Sequence, residues 1–358
     1  MGFHDGDASQ REAGARGAVK GRATMRDVAK RAGVSLKTVS RVVNEEPGVS
    51  AATIAIVTAA MDELSFQRDL LAGSLRRQDR RSDSIGLIVA GVDNPFDAII
   101  HRAAEDAAAA NHVAVFAAST NEEIERERSL VRAFTSRRVD GLIIMPCGRD
   151  QSYLEPELTA GTPIIMVDRP PVGVAADCVI SDHQNAAKLA VEHLLAAGHT
   201  RIAFLGDLSH IASLQARKDG YLEAMQAAGV TVDPELMAID NHSENAALGT
   251  ALRMISSAHP PTAIFSAQNR VTQGVVRALY ERNVHKKIAL VSFDDFPLAD
   301  MLNPAVTVVA QDPYTIGRLA AERVFERLEN PKLPVKTITV PARLVRRGSG
   351  EIPPPADE

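Results

Sequence analysis

Apolar residues along this 358-residue chain follow two rhythms, and the rhythm changes near residue 84. In the first stretch, Met25, Val28, Ala29 and Ala32 fall at i, i+3, i+4 and i+7, one face of a short helix. Gly33 supplies the left-handed backbone that a sharp exit needs. Ser35 is placed to cap the next helix, with Val34 just ahead as a hydrophobic anchor. At about 100° per residue, Lys37, Ser40, Arg41 and Asn44 share an arc of roughly 140°, and Val39, Val42 and Val43 fill the opposite side. After a loop at 45–49, a third helix is predicted from Ser50 to Leu64, with Ile54, Val57, Met61 and Leu64 at helical spacing. Three such helices make a minimal core around a helix-turn-helix.

In the second stretch, short apolar runs alternate with amphipathic segments, the pattern of βαβ units and a parallel sheet. Runs at Ile85–Ala90, Val113–Ala117, Gly141–Met145 and Pro163–Val167 form a first half, and runs at Ile202–Gly206, Ala263–Ser266 and Ile288–Phe293 a second. Ligands of open α/β sheets bind beyond the carboxyl ends of the strands. Polar residues directly after each run are therefore candidates: Asp93 and Asn94 with Phe96, then Asp168 and Arg169, Asn269 and Asp294.

Between the two stretches, residues 66–82 are too polar and too short to hold a helix alone, and can order on DNA. Three pieces then combine: Asp27-Val-Ala-Lys-Arg-Ala-Gly-Val-Ser35 followed by Thr38-Val-Ser-Arg-Val-Val-Asn44, Pro47-Gly-Val-Ser50, and a linker with Leu75 and Arg76. In this order the chain resembles the lactose/galactose repressor (LacI/GalR) family from about residue 23 to about residue 347. The resemblance implies an all-α helix-turn-helix DNA-binding head and an α/β effector domain of two doubly wound, periplasmic-binding-protein-like lobes, with Tyr314–Leu328 returning to the first lobe. It divides the chain into a disordered arm (1–22), the head (23–66), a hinge (67–82), a ligand-binding and dimerisation domain (83–347) and a flexible tail (348–358).

By the same resemblance Leu36, Lys37 and Arg41 read bases, within a DNA-contacting set of Ser35, Leu36, Lys37, Thr38, Ser40, Arg41, Asn44, Ala72 and Leu75. Arginine and lysine suit guanine and amides suit adenine. Leu75, with Ala72 beside it, takes the place of the hinge leucine that wedges into a minor-groove step. The hinge departs from the family: Arg68-Asp69 stands where Pro-Asn is common, and Gly73 costs about 1 kcal/mol of helix propensity relative to alanine. Ordering should therefore depend more than usual on DNA. Position by position, Asn94, Phe96, Asp168, Arg217, Asn269, Asp294 and Gln311 fall where relatives hold a sugar-like effector. Carboxylates accept from hydroxyls, and arginine and amides donate to oxygens. Plainer roles stand beside these: Asp294 as a turn residue, Arg217 on a helix surface, Phe96 in the core.

Composition sharpens this picture in two places. Residues 1–82 hold 14 Lys/Arg against 10 Asp/Glu, so a head of +4 is joined to a body of −9 within a net charge of −5, which suits phosphate contact at one end only. Arg270 follows Asn269 where relatives commonly carry an acid, and a cation there opposes the helix dipole by roughly 0.3–1 kcal/mol. It either meets an anionic effector or pairs with a surface acid. Two cysteines without a CxxC pair fit a reduced, cytoplasmic chain, and the first twenty residues lack the apolar run of a signal peptide or anchor. His193 and His199 are spaced wrongly for a helical metal pair, and neither a P-loop, GxGxxG nor GxSxG is present, so no metal, cofactor or catalytic constellation is expected. Three classes remain: a DNA-binding repressor, a solute-binding protein, and a sugar-processing enzyme. The first accounts for residues 24–77; the second has no use for them and would need an export signal, and the third lacks a catalytic constellation. It implies a homodimer on an inverted-repeat operator, without a membrane, and the tail lacks the leucine heptads of a tetramer.

Overall fold

The computed structural model describes residues 23–44, 46–66 and 81–356, and the chain divides into two units at residues 80 and 81. The arm at 1–22 and the hinge residues Arg68, Asp69, Ala72, Gly73 and Leu75 lie outside the described residues.

The smaller unit holds α1 (Met25–Ala32), α2 (Leu36–Val43) and α3 (Ala51–Glu63). Each begins on a hydroxyl cap. Thr24 and Asp27 form a reciprocal capping box, and Ser35 and Ser50 accept the backbone N–H groups of Thr38 and Thr53. Gly33 closes α1 with φ 66°, the conformation that lets α2 start three residues later. Val28, Ala29, Val39, Val57 and Ala60 form the buried centre, with Met25, Ala32, Val42, Met61 and Leu64 packed around it. Ile54, expected to face inward, is 44% exposed, because so small a unit buries only one side of α3.

The larger unit is two lobes of the same design. The first sheet contains β1 (Ser84–Val89), β2 (Ala114–Ser119), β3 (Gly141–Ile144), β4 (Ile164–Val167), β5 (Asp177–Ser181) and, from late in the chain, β11 (Thr337–Val340), in the order β11-β5-β4-β3-β1-β2, all parallel. The second contains β6 (Ile202–Leu205), β7 (Met237–Ala238), β8 (Ala263–Ser266), β9 (Ala289–Phe293), β10 (Thr307–Ala310) and β12 (Arg343–Val345), in the order β12-β10-β9-β8-β6-β7, with only β12 antiparallel. Central strands such as β1, β3, β4, β8 and β9 are buried throughout, as continuous apolar runs require when helices cover both faces.

Helices α4 (Pro95–Ala109), α5 (Ile124–Ser136) and α6 (Glu155–Thr159) belong to the first half. Helices α7 (His183–Ala196), α8 (Ala212–Ala227), α9 (Glu244–Ile255) and α10 (Asn269–Glu281) belong to the second. Helix α11 (Pro313–Glu329) returns to the first lobe, where Ile316, Ala320, Ala321 and Val324 share a core with Ile85, Ile143, Val167 and Val179. Its approach to α4 is close: a Cβ at Gly317 would lie 2.5 Å from the Ile100 carbonyl oxygen. The chain thus crosses between lobes near Asp182, near Asp312 and between Val340 and Arg343.

Two expected boundaries move. Arg81 donates to the Leu328 carbonyl and the Ser82 N–H to Asp140, so both belong to the first lobe rather than to the hinge. The tail is tied down as far as Ile352: Ser349 Oγ donates to the Leu290 carbonyl, His199 to the Ile352 carbonyl at 2.8 Å, and His193 pairs with Glu351 at 2.9 Å. Buried carbonyls that need donors fix this segment, and the two histidines find their use there.

Candidate functional site

In the smaller unit, Val39 anchors α2 to the core, and this turns the polar arc outward. Leu36 is 45% exposed, Lys37 and Asn44 are exposed, and Ser40 and Arg41 are half-buried. Ser35 and Thr38 share a side-chain hydrogen bond of 2.8 Å at the cap. Arg41 lies 3.6 Å from Glu46, a loose and solvent-screened pair. A helix sealed on one side, with Lys37, Arg41 and an apolar Leu36 on the other, has the dimensions and donors for the major groove.

In the larger unit, β4 and β9 hold equivalent places in the two sheets, and each is followed at once by an aspartate in left-handed backbone: Asp168 with φ 65° and Asp294 with φ 68°. Side chains other than glycine adopt this region at a cost, and such residues concentrate at functional sites. Arg217 of α8 stands between them, 3.9 Å from Asp168 Oδ1 and 3.8 Å from Asp294 Oδ2. Its guanidinium donates to the Ala267 carbonyl at 2.8 Å and lies 3.9 Å from the centre of the Phe293 ring. Ser213 donates to Asp168 Oδ2 at 3.1 Å, and the His183 ring to the Asp168 carbonyl at 2.8 Å. Asp168 Oδ1 is buried and accepts no hydrogen bond, the His183 Nε2 3.4 Å away being directed to the Asp168 carbonyl.

Asp168, Ser213, Arg217 and Asp294 face a cavity of about 280 Å³ between the lobes, with Phe96, Met145, Ile211 and Leu214 in its wall. That is near the lower limit of the ~300–1,000 Å³ usual for small-molecule sites. Burial pulls the Asp168 carboxyl upward, but His183, Arg217 and Arg169 outweigh it and hold the group well below the usual carboxylate range. For Asp294 burial wins over Arg217 and the Gln311 amide, and its value is raised. Around the rim Asp93 pairs with Arg270 at 3.4 Å across the lobes, Glu122 grips Arg169 with both oxygens at 2.6 and 2.8 Å, and Asp207 meets His242 at 3.0 Å.

Of the residues expected to touch an effector, Asn94, Phe96, Asp168, Arg217 and Asp294 line the cavity. Asn269 and Gln311 stand one step back: Asn269 donates to Asn94 Oδ1 at 2.8 Å across the lobes, and Gln311 to Asp294 Oδ1 at 2.7 Å. Their amides hold the wall because each has a partner carboxyl or amide nearer than the cavity. Arg270 has its counter-ion in Asp93, so an anionic ligand is not needed to offset it. Asp207 follows the run at Ile202–Gly206 and was within reach of the strand-end rule; His183, Ser213 and His242 were not.

Comparison with known proteins bears on both units. Residues 24–69 match the model of the bacterial regulatory proteins of the lacI family, and residues 191–350 that of a periplasmic binding protein-like domain. The ribose operon repressor of Halalkalibacterium halodurans is 31% identical over 294 residues, which is 81% of this chain and 86% of that protein. The chain belongs to the LacI family of bacterial regulatory proteins. This LacI-family chain is also 28% identical to the transcriptional repressor PurR of Vibrio atlanticus, over 82% of its own length and 88% of that protein. Among solved structures, a lac repressor dimer bound to operator and the anti-inducer ONPF matches 92% of this chain and 99% of its own with a TM-score of 0.79 and 26% identity. A complex of the transcriptional regulator CelR with cellobiose matches 92% and 100% with a TM-score of 0.67 and 26% identity. The smaller unit is accordingly a helix-turn-helix DNA-binding domain, and the protein a DNA-binding transcriptional repressor. No helix among the described residues is long and apolar enough to cross a membrane.

Proposed function

We propose that this repressor binds an inverted-repeat operator as a homodimer through Leu36, Lys37, Ser40, Arg41 and Asn44, and that a small polyhydroxylated molecule in the interlobe cleft sets its affinity for DNA. The observation that carries the ligand reading is the pair of left-handed aspartates at matching strand ends, with Arg217 between them and one Asp168 oxygen lacking a donor. Vicinal hydroxyls donate to such carboxylates, the guanidinium donates to ring or hydroxyl oxygens, and Phe96 and Met145 cover the apolar face of a sugar-like ring. The names of the relatives point the same way: ribose for one group of repressors, cellobiose for one complex.

The cleft couples ligand to shape because its contacts join the lobes. Asp93–Arg270, Asn94–Asn269 and Asp168–Ser213 each span the two sheets, so a ligand bridging Asp168 and Asp294 adds a further tie to one relative setting of the lobes. A ligand shifts the equilibrium only by its differential affinity for the two settings. The protein acts by binding rather than catalysis, in the cytoplasm where its operator is.

The test is selection of duplexes from a random library by the full-length protein, then fluorescence anisotropy on the winner at several salt concentrations and with sugars added. The expected result is an inverted repeat, affinity that falls steeply with salt, and a reciprocal shift on adding one neutral sugar. Enrichment of no motif, or binding indifferent to every sugar, would refute the corresponding half of the proposal.

A further inference from the structure

The wall of the cleft carries one more carboxyl than its neighbours can pair. Glu122 is matched to Arg169, Asp93 to Arg270 and Asp207 to His242, and Asp168 and Asp294 share Arg217. Asp97 has no ion-pair partner among the described residues. It is the third residue of α4, is 1% exposed and lines the cavity. One oxygen, Oδ2, accepts the Gly91 N–H at 2.7 Å; the other has no hydrogen-bond donor among the described residues.

A purely structural role explains only half of this. A carboxylate in the first turn of a helix is favoured by the dipole, and the Gly91 contact fixes the turn after β1. Neither requires an ionisable group, since an amide oxygen would accept from Gly91 equally well. Burying an unpaired carboxyl is unfavourable unless something supplies hydrogen bonds to it. The groups facing it are Asp168 and Arg169 beyond β4 and Glu122 beyond β2. Burial is the largest influence on Asp97, the Gly91 N–H opposes it, and Asp168 adds to it, so the carboxyl is pushed up to about 7. With Asp168 Oδ1, which is buried, it gives the cavity two carboxyl oxygens that accept no hydrogen bond from the described residues.

We propose that Asp97 is a ligand-contacting, specificity-determining residue whose free oxygen accepts a hydrogen bond from a hydroxyl or ammonium group of the effector, and which turns away carboxylate- and phosphate-bearing ligands. The proposal rests on the cleft being the effector site. It implies a proton linkage. Asp97 accepts as a carboxylate, so effector affinity rises as pH climbs through about 7.

The test uses the full-length protein and its D97N variant, which keeps an acceptor for Gly91. Thermal shift and calorimetry are run with ribose, glucose, glucosamine, gluconate and ribose 5-phosphate, below and above neutral pH. The expected result is a response of the wild type to a neutral or amino sugar and not to the two anions. D97N should bind that sugar at least ~10-fold more weakly, as for loss of a charge-assisted hydrogen bond, with a flattened pH profile and an undiminished melting temperature. Preference for ribose or glucose assigns a hydroxyl to Asp97, and preference for glucosamine an ammonium. Unchanged affinity and pH profile in D97N, or binding of either anion by the wild type more tightly than of the neutral and amino sugars, overturns the assignment alone. No response of the wild type to any probe overturns the polyhydroxyl reading of the cleft, and this assignment with it.

Discussion

Replacing Arg217 by methionine keeps most of the length of the side chain and removes the charge that Asp168 and Asp294 share. Both carboxyls are about 5% exposed, so neither can recover its hydration. Removing one partner of a buried ion pair typically destabilises by about 3–5 kcal/mol; Asp168 keeps Arg169 and His183, each 3.4 Å away, so the charge left uncompensated is chiefly that of Asp294. The lost hydrogen bond to the Ala267 carbonyl and the lost stacking over Phe293 act in the same direction. At about 2–4 °C per kcal/mol for a domain of ~150–250 residues, the melting temperature should fall by roughly 6–20 °C. The pH dependence has a definite sign. Asp168 is depressed in the folded protein, so its contribution is present above its ordinary value of 3.8 and is lost as pH falls through the folded value. Without Arg217 both carboxyls move upward and take up protons sooner on acidification, which relieves the repulsion. The gap between wild type and R217M should therefore be widest near neutral pH and narrow toward about pH 5. Circular-dichroism melts at the two pH values measure it, and the R217M/D294N double variant should recover part of the loss. Melting within ~2 °C of wild type at both pH values, with no recovery in the double variant, would show that Arg217 does not hold this site together.

Three further outcomes follow from the same geometry. Arg41→Ala should leave the helical signal of the head intact while weakening operator binding by roughly 1–3 kcal/mol, read by anisotropy; an effect equal on all sequences would instead mark a phosphate contact. Ser35→Ala removes the cap of α2 and should cost the head about 1 kcal/mol in chemical denaturation. The hydrogen bond that His242 donates to Asp207, helped by the carboxylate's charge and opposed by burial, raises His242 above its ordinary 6.5, so its stabilisation is present below that value and is lost as pH rises through the folded value; a proton NMR titration should show the raised midpoint and its return in D207N.

Much of the fold was legible because the central strands are unbroken apolar runs, and a run such as Ile85–Ala90 has no other stable place than between two helical layers. Strands β5, β7, β10, β11 and β12 were missed: all are short, and Asp177-Cys-Val-Ile-Ser181 and Thr307–Ala310 carry polar residues at one or both ends. They are strands because of their neighbours. Asp168 and Asp294 were legible through their position after strands, and Arg217 through resemblance. His183 was not, because it backs Asp168 and Arg217 only where the chain crosses between lobes, and no local pattern announces a crossing. Asn269 and Gln311 show the limit of positional matching, which finds the right neighbourhood and not which side chain faces the cavity.

The threefold crossing near Asp182, near Asp312 and after Val340 has a consequence for how such proteins can be recombined. Neither lobe is a contiguous stretch of gene. A single exchange point near Asp182 would deliver the body of the second lobe from one parent together with α11 and β11, which belong to the first lobe's core. Gly317 would then have to meet a foreign α4 at a backbone approach that leaves no room for a Cβ. New effector specificity in this architecture is therefore more accessible through point changes at strand ends than through exchange of lobes, whereas the head, joined once, can be exchanged whole.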